Sequence, residues 1–124
     1  MTTGNFKDLI VWQKSIALVK AIYTLTRTFP SEEKFGLVSQ IRRSAVSIPS
    51  NIAEGQARRT TGDFIRFISN AEGSLAEAET QLIIAVELGF CDEADAKGGF
   101  GLMVEIRKML NALRRVLSAK QNRT

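Results

Sequence analysis

The sequence predicts an all-α protein, an up-down-up-down antiparallel four-helix bundle. Four segments carry apolar residues at alternating three- and four-residue spacing, the pattern of a helix with one buried face. No segment shows the strict alternation of a strand, and the short connections place consecutive helices antiparallel. With 124 residues, 44% of them hydrophobic, the chain fits a single domain (1–124) that can bury a core without disulfides or metal ions.

Two apolar stripes run along the first predicted helix, which we expect over residues 8–27. The second stripe lies about 120° around the helix from the first at the usual rotation per residue. The stripes comprise Leu9, Trp12, Ile16, Val19 and Tyr23, and Val11, Leu18, Ile22, Leu25 and Phe29. Because one bundle seam needs less apolar surface, this helix is either deeply buried or packed against a second subunit as well.

The second helix is expected over residues 31–56, after Pro30 ends the first helix and Ser31 serves as N-cap. Its apolar stripe comprises Val38, Ile41, Ala45, Ile48 and Ile52. Pro49 lies inside that stripe, where it lacks an N–H donor and clashes with the carbonyl group of Ala45. The stripe stays in phase beyond the proline, so we predict a kink at Pro49 and not a helix end.

The third and fourth helices are expected over residues 63–88 and 92–118. The third ends at Gly89, and its stripe comprises Phe64, Ile68, Ala71, Leu75, Ala78, Leu82 and Ala85. Asp92 is a suitable N-cap for the fourth helix. Glycines at 98, 99 and 101 would each cost about 1 kcal/mol in a helix interior and permit a start as late as Phe100. The core face of the fourth helix comprises Met103, Ile106, Leu110, Leu113 and Leu117. We expect residues 120–124 to fray.

Composition excludes several chemistries. The chain has no histidine, which removes Ser-His-Asp and Cys-His catalytic sites and the metal centres that need imidazole. Cys91 is the only cysteine, so no internal disulfide forms, and we expect a reducing, cytoplasmic setting. No apolar run is long enough to span a membrane, and residues 1–8 show no secretory signal. We therefore expect no membrane partner, no metal, no cofactor and no enzymatic activity.

Charge is unevenly distributed along the chain, whose formal net charge is +4. Residues 70–97 carry seven acidic residues and one basic residue, whereas residues 105–124 carry six basic residues and one acidic residue. Residues 41–66 add five arginines against two acidic residues. Such segments either bind a polyanion or neutralise each other between neighbouring helices or subunits, and the sequence leaves both interpretations open.

Polar side chains keep helical spacing beside the apolar stripes of the second and third helices. They are Gln40, Ser44, Ser47, Asn51 and Glu54 on the second helix, and Asn70, Ser74, Glu77 and Gln81 on the third. An ordinary solvent face would favour lysine and glutamate, because serine and asparagine are poorer helix formers. We therefore predict that these residues line a partly buried helix–helix or subunit interface; plain solvent exposure is the alternative. Burial of Glu54 would require Arg42, Arg43 or Arg58 as a partner.

Several strings in the first 90 residues resemble a known family, the 23S rRNA intervening-sequence proteins. The strings are FKDLIVWQ at 6–13, FGL at 35–37, QIRR at 40–43, SIPSNIAEG at 47–55 and GSLAE at 73–77. The resemblance implies a small bacterial four-helix bundle that assembles as a ring-like homopentamer, with no established activity and no catalytic residues. A related bundle, the accessory variability protein of diversity-generating retroelements, is a basic pentamer that binds nucleic acid and a reverse transcriptase.

Two non-enzymatic functions are consistent with these patterns. The first is binding of RNA or DNA backbone without sequence preference, since no base-reading motif and no interleaved aromatic residue accompanies the basic residues. The candidate residues are Arg58, Arg59 and Arg66 after the second helix, and Arg107, Lys108, Arg114 and Arg115 on one face of the fourth. A basic face that only aids solubility is the alternative. The second function is a scaffold that binds another protein, either through the acidic stretch between Glu72 and Asp95 or through the glycines at the rim of the bundle.

Overall fold

The computed structural model describes residues 5–123, which form four long helices and, within that range, no strand. The helices are α1 (Ile10–Thr26), α2 (Leu37–Gln56), α3 (Thr61–Glu87) and α4 (Glu93–Asn122), and short 3-10 helices precede α1 and α2 at Phe6–Asp8 and Ser31–Glu33. α1 and α3 each pack between α2 and α4 around one apolar core. The predicted all-α four-helix bundle is confirmed; residues 1–4 and 124 of the predicted domain lie outside the described residues.

The core is built from the predicted apolar stripes. Every stripe residue of α2 is buried, and so is every stripe residue of α3 except the half-buried Phe64. In α4 only Leu113 of the predicted face is half-buried. In α1 the stripe that contains Leu18 and Ile22 faces the core, whereas the stripe from Leu9 to Tyr23 is half-buried or exposed. α1 is therefore not deeply buried all round, and it keeps apolar surface beside its own bundle.

α2 begins later than the sequence indicated. Ser31 lies within a 3-10 turn and does not cap the long helix, and Gly36 adopts φ −104° and ψ −113°, outside the helical region. The carboxylate of Glu33 accepts a hydrogen bond from the backbone N–H of Leu37 at 3.1 Å, so it satisfies one of the free donors at the helix start. The predicted start at residue 31 is wrong, because this separate turn precedes a helix capped from outside by Glu33.

α2 continues without interruption through the buried Pro49 to Gln56. The prediction that the proline does not end the helix is confirmed. The kink at Pro49 and the up-down-up-down order stay predictions. Ser44 lies beside Gln81 and Ser47 beside Ser74, so the contacts between α2 and α3 run in opposite directions along the two helices.

The other helix ends are set by local capping hydrogen bonds, which the spacing of apolar residues does not predict. Thr60 accepts a hydrogen bond from the N–H of Asp63 at 3.1 Å, so α3 begins at residue 61 and not 63. A capping box joins Asp92 and Asp95, and it starts α4 at Glu93 despite the three glycines that follow. At its other end α4 runs to residue 122, so the predicted end at 118 is wrong, whereas the fraying expected for residues 120–124 stays a prediction.

Candidate nucleic-acid interface

The turn between α2 and α3 lies beside the last turns of α4 at one end of the bundle. A methyl group added at Gly62 would lie only 3.0 Å from the side-chain amide nitrogen of Gln121. The segments that contain these two residues, 54–66 and 114–123, carry seven basic and two acidic residues. We call this surface the basic end; its bases are Arg58, Arg59, Arg66, Arg114, Arg115, Lys120 and Arg123.

Two of these arginines are held against one aromatic ring. The guanidinium carbons of Arg58 and Arg66 lie 4.6 and 4.9 Å from the ring centroid of Phe67, within the range of a cation–π contact. Arg58 also pairs with Glu54 at 3.3 Å, and Arg66 with Asp63 at 3.7 Å. Both predicted site residues therefore belong to the basic end, and the charge of each is partly offset by an acid three or four residues earlier in the chain.

The ring itself is placed by a glycine on the facing helix. A Cβ at Gly55 would lie 2.7 Å from Cβ of Phe67 and 2.9 Å from Cδ1 of Phe64, closer than any side chain tolerates. Gly55 thus lets the end of α2 approach the start of α3 and lets both phenylalanines pack in the gap. The close contact between α2 and α3 that places Phe67 under Arg58 and Arg66 therefore depends on the glycine at 55.

Four further bases of this end are exposed and make no ion pair within residues 5–123: Arg59, Arg115, Lys120 and Arg123. Arg59 and Arg115 are predicted site residues; Arg59 lies in the turn after α2, and Arg115 lies seven residues before the end of α4. Lys120 and Arg123 were missed, because the fourth helix was expected to end at 118. The segment 119–122 contains alanine, lysine and glutamine, which are good helix formers, and that signal could have extended the helix.

The predicted basic face of α4 is divided by its contacts with α3. Arg107 donates a hydrogen bond to the carboxylate of Glu79, and Arg114 contacts both oxygens of Glu72, with Nε at 3.1 and 3.3 Å. Lys108 is exposed and has no ion pair within residues 5–123. The expectation that Arg107, Lys108, Arg114 and Arg115 form one exposed basic face is not met. Successive residues differ by 100° around a helix, so 107 and 114 turn toward α3 while 108 and 115 turn away.

The predicted polar interface lies between α2 and α3 of the same chain. The buried hydroxyl of Ser44 lies 3.0 Å from Oε1 of Gln81 and 3.1 Å from Oε1 of Glu77. Ser47 and Ser74 share a hydrogen bond of 2.8 Å. Asn51 donates to the carbonyl group and the hydroxyl of Ser47 at 2.8 and 2.9 Å. These residues form a hydrogen-bonded helix–helix seam, the α2–α3 seam, and a role between subunits stays a prediction.

The remaining members of the predicted interface lie at its margins. Gln40, Glu54, Asn70 and Glu77 are exposed, and Glu54 is paired with Arg58, one of the partners considered for it. The carbonyl oxygen of Gln40 also lies 3.0 Å from the hydroxyl of Ser44. A groove of about 540 Å³ runs along this margin, with Arg43 and Glu77 on its walls.

The hydroxyl of Ser44 has more hydrogen-bond acceptors around it than it has protons to donate. It carries one proton, whereas the carbonyl oxygen of Gln40, Glu77 and Gln81 each present an oxygen within 3.1 Å. The two orientations of a glutamine amide have the same shape. With Nε2 of Gln81 turned toward Ser44, the serine accepts one hydrogen bond and donates another, which satisfies this buried pair.

Cys91 is buried at the opposite end of the bundle. Burial raises the pKa of its thiol, and the carboxylates of Asp95 and Asp92 raise that pKa further. The thiolate, which is the reactive form, is therefore disfavoured there. Within residues 5–123 no three acidic or cysteine side chains come together in a way that could hold a metal ion.

That opposite end is acidic. Residues 28–36 and 87–97 carry six acidic and two basic residues, and the rings of Phe29 and Phe90 join the two segments at 5.7 Å. We call it the acidic end; its acids are Glu32, Glu33, Glu87, Asp92, Glu93 and Asp95. None of the helices in residues 5–123 combines the length and the apolar character needed to cross a bilayer.

Comparisons with known proteins agree on the type of bundle. A family model described as 23S rRNA-intervening sequence protein matches residues 7–112. A crystal structure of a protein with unknown function from the S23 ribosomal protein family of Bacteroides thetaiotaomicron is 26% identical, with a TM-score of 0.78. The match covers 85% of this chain and 98% of that one. No curated protein matches the sequence.

Proposed function

The chain belongs to the 23S rRNA-intervening sequence protein family, and we propose that it is a non-enzymatic, homo-oligomeric bundle that binds nucleic-acid backbone through its basic end. One observation carries this proposal: the two segments of the basic end carry four exposed bases without ion pairs within residues 5–123, together with two arginines that lie over the ring of Phe67. The four are Arg59, Arg115, Lys120 and Arg123.

The chemistry of this end fits a polyanion better than a single small anion. Arginine donates two parallel hydrogen bonds to a phosphate group, and several exposed bases on one surface can contact successive phosphates. Phe67 lies beneath Arg58 and Arg66 and is buried, so it offers no free face for base stacking. Binding should therefore depend on the backbone, show little sequence preference and weaken steeply with salt.

Self-association is the second part of the proposal. The half-buried stripe of α1 leaves apolar surface that one bundle does not cover, and the family resemblance implies five copies. Several copies would present several basic ends to one polymer, so weak phosphate contacts would add up. The cytoplasmic location expected from the sequence belongs to this proposal, and a single buried thiol is compatible with it.

The test is a salt series of nucleic-acid binding with matched charge reversals. Arg59→Glu with Arg115→Glu changes two exposed bases of the basic end. Arg27→Glu with Lys97→Glu makes the same change in charge at the acidic end. Both double variants should keep the far-ultraviolet circular dichroism of the wild type. Fluorescence anisotropy with labelled single-stranded RNA and duplex DNA then compares the three proteins.

We expect the basic-end variant alone to lose affinity. Removing two phosphate contacts should reduce the slope of log affinity against log salt by about 1.8 for a duplex. Equal affinity of wild type and basic-end variant across the salt series would exclude this end as the site. Absence of wild-type binding at low salt would exclude the nucleic-acid function altogether.

A protein partner is the alternative function, and the acidic end favours it. Glu87 and Glu93 are exposed there and have no ion pair within residues 5–123, so a basic protein surface could meet them. Glu72 and Glu79, which belong to the same acidic stretch of sequence, already pair with arginines of α4. A partner whose binding is lost in Glu87→Lys with Glu93→Lys, and retained in the basic-end variant, would support this function.

A further inference from the structure

The groove of about 540 Å³ at the margin of the α2–α3 seam is bordered by α2, by α3 and by the turn that precedes α2. Its volume falls in the range of about 300–1,000 Å³ that is usual for small-molecule sites. Hydroxyl, amide and charged side chains line it, together with one exposed aromatic ring. We call it the polar groove; its lining includes Phe35, Arg43, Ser44, Glu77 and Gln81.

Two opposite charges line the polar groove without contacting each other. Arg43 of α2 and Glu77 of α3 are both exposed there, and neither makes an ion pair with the other or with any further residue in the described range 5–123. A simple anion bound to Arg43 would be repelled by Glu77, and a simple cation bound to Glu77 would be repelled by Arg43. A ligand that carries one charge of each sign pairs with both residues.

The floor of the polar groove has more hydrogen-bond acceptors than donors. The single proton of Ser44 can go either to the carbonyl oxygen of Gln40 or to Oε1 of Glu77, at 3.0 and 3.1 Å. Ser44 is the only hydrogen-bond donor to Glu77 within residues 5–123. When the proton goes to Gln40, the carboxylate of Glu77 has no donor from those residues. An ammonium group carries three N–H donors and supplies what this place lacks.

Gln81 adds a second acceptor at the same place. Its side chain is 8% exposed, and one atom of its amide group contacts Ser44 at 3.0 Å, while the other has no hydrogen-bond partner within residues 5–123. No fully buried side-chain nitrogen or oxygen in that range lacks a partner, so the second amide atom must be accessible from the groove. With Nε2 turned toward Ser44, this atom is Oε1, one helical turn from Glu77 on the same face of α3.

Phe35 gives the polar groove one apolar wall. Its side chain is 89% exposed, more than any other large apolar side chain within residues 5–123. The turn that carries it is hydrogen-bonded, since the N–H of Gly36 donates to the carbonyl group of Glu33 at 3.0 Å. An aromatic ring in this position can cover the apolar part of a ligand whose charged groups bind on the floor. The groove thus offers a cation, an anion and an apolar surface to one small molecule.

We propose that the polar groove binds a free α-amino acid with an apolar side chain. The carboxylate of the ligand accepts hydrogen bonds from Arg43, whose planar guanidinium matches a carboxylate. The ammonium group donates to Glu77 and to Oε1 of Gln81, and the side chain lies against Phe35. This inference goes beyond the proposed function, because it uses neither the basic end nor self-association.

Three related ligands test the two charge contacts by isothermal titration calorimetry. L-Phenylalanine carries both charges, N-acetyl-L-phenylalanine only the carboxylate, and L-phenylalaninamide only the ammonium group; all three keep the ring. The titrations are run at about pH 6, where α-amino groups are protonated. We expect the wild-type protein to bind L-phenylalanine at least about tenfold more tightly than either derivative, since each derivative lacks one charge-assisted hydrogen bond.

Two conservative substitutions assign these contacts to residues. Arg43→Gln removes the cation and should abolish the preference for L-phenylalanine over its amide. Glu77→Gln removes the anion and should abolish the preference over the N-acetyl derivative. Arg59→Gln and Glu87→Gln make the same changes at exposed positions outside the groove and should keep the wild-type preferences. All four positions are exposed, so the variants should keep the far-ultraviolet circular dichroism of the wild type.

A further pair of measurements tests the apolar contact. L-Alanine has the same two charges as L-phenylalanine but no ring, so it should bind the wild type more weakly. Phe35→Ala should lower the affinity for L-phenylalanine to that for L-alanine. Equal binding of the two amino acids by the wild type would overturn the role of Phe35.

The remaining outcomes decide whether the groove is an amino-acid site. A wild-type protein that binds no L-phenylalanine at millimolar concentration would overturn the inference, and a second copy that covered the groove would give this result. Ligand preferences that persist in Arg43→Gln and Glu77→Gln would overturn it as well. Failure of nucleic-acid binding at the basic end would leave it standing, because Arg59 and Arg115 do not line the groove.

Discussion

The two ends of the bundle use their charged residues differently. At the acidic end, carboxylates accept hydrogen bonds from backbone donors: Asp92 and Asp95 form the capping box of α4, and Glu33 caps α2. At the basic end, bases such as Arg59 and Arg115 have no ion pair within residues 5–123. Acidic side chains at this bundle's helix starts therefore support the fold, whereas much of the basic charge is free to meet a partner.

The contrast shows why net charge along the sequence is a poor guide to binding. The acidic stretch in α3 and the basic stretch in α4 partly neutralise each other through Glu72–Arg114 and Glu79–Arg107. What remains unpaired lies mainly at the bundle ends. A substitution can therefore disturb folding at one end and partner binding at the other, and the following variants separate the two.

The largest effect on stability is expected from Gly55→Ala, at the basic end. Its Cβ would clash with Phe67 and Phe64, so we expect a loss of about 1–3 kcal/mol, the usual cost of overpacking. Gly101→Ala, near the acidic end, meets open space and should stabilise α4 by up to about 1 kcal/mol. Urea denaturation followed by circular dichroism measures both; equal stability of the two variants would contradict the packing described for Gly55.

The next-largest effect on stability is expected at a helix cap. Asp92→Ala removes the N-cap of α4 and should lower the free energy of unfolding by about 1 kcal/mol. Arg59→Ala, at the basic end, should change it by less than about 0.5 kcal/mol, because exposed residues outside caps contribute little. If Arg59→Ala cost as much as Asp92→Ala, basic residues would support the fold as acidic ones do, and the contrast between the ends would fail.

A smaller effect is expected for the pair Arg114–Glu72, which is bidentate but partly exposed. Solvent screening reduces such a pair to about 0.5 kcal/mol in a double-mutant cycle. The control cycle pairs Glu72 with Arg115, the neighbouring base that turns away from α3, and should give no coupling. Urea denaturation of the single and double alanine variants provides both values. Equal coupling energies would mean that the α4 face is not divided as described.

The smallest effect concerns the thiol of Cys91. Because its pKa is raised in the folded chain, the folded state retains the thiol proton more strongly than the unfolded state. The associated stability is present below the ordinary thiol pKa and is lost as the pH rises through the raised value. Iodoacetamide alkylation should therefore reach half its maximal rate at a higher pH in the folded protein than in urea.

The neighbouring carboxylates provide the control for this measurement. Asp92→Asn keeps an N-cap side chain but removes one of the charges that raise the thiol pKa, so the midpoint should fall. Asp63→Asn removes an equal charge at the basic end and should leave the midpoint unchanged. A midpoint that does not move in Asp92→Asn would exclude the Asp92 carboxylate as a cause of the raised pKa and leave burial and Asp95.

The fold could be predicted from sequence because, in α2, α3 and α4, apolar spacing indicates which side of the helix is buried. The stripes of α2 and α3 are buried almost to the last residue. The helix ends were less predictable, since they depend on single side chains that reach back to the backbone. Glu33, for example, lies in the 3-10 turn before α2 and caps that helix with its side chain. No local pattern at Ser31 distinguishes this arrangement from an ordinary N-cap at Ser31.

The candidate interface could be predicted only in part. Arg58 and Arg59 lie in the turn after α2, as predicted. The ion pairs of Arg107 and Arg114 with acids of α3 depend on how α4 is rotated about its own axis relative to α3. Residue spacing within one helix does not determine that rotation. The exposure of Phe35 was unpredictable for a similar reason, since it depends on a turn that the sequence assigned to a helix.

The α2–α3 seam limits changes of register between two helices whose contact is otherwise apolar. Apolar stripes that repeat every seven residues tolerate a shift of one repeat, because equivalent side chains then meet. The hydrogen bond of Ser47 is lost in such a shift, because Ser47 would then face Phe67 in place of Ser74. A few serine and amide side chains therefore fix the register between α2 and α3. These small polar residues contribute more to the uniqueness of the fold than to its free energy of unfolding.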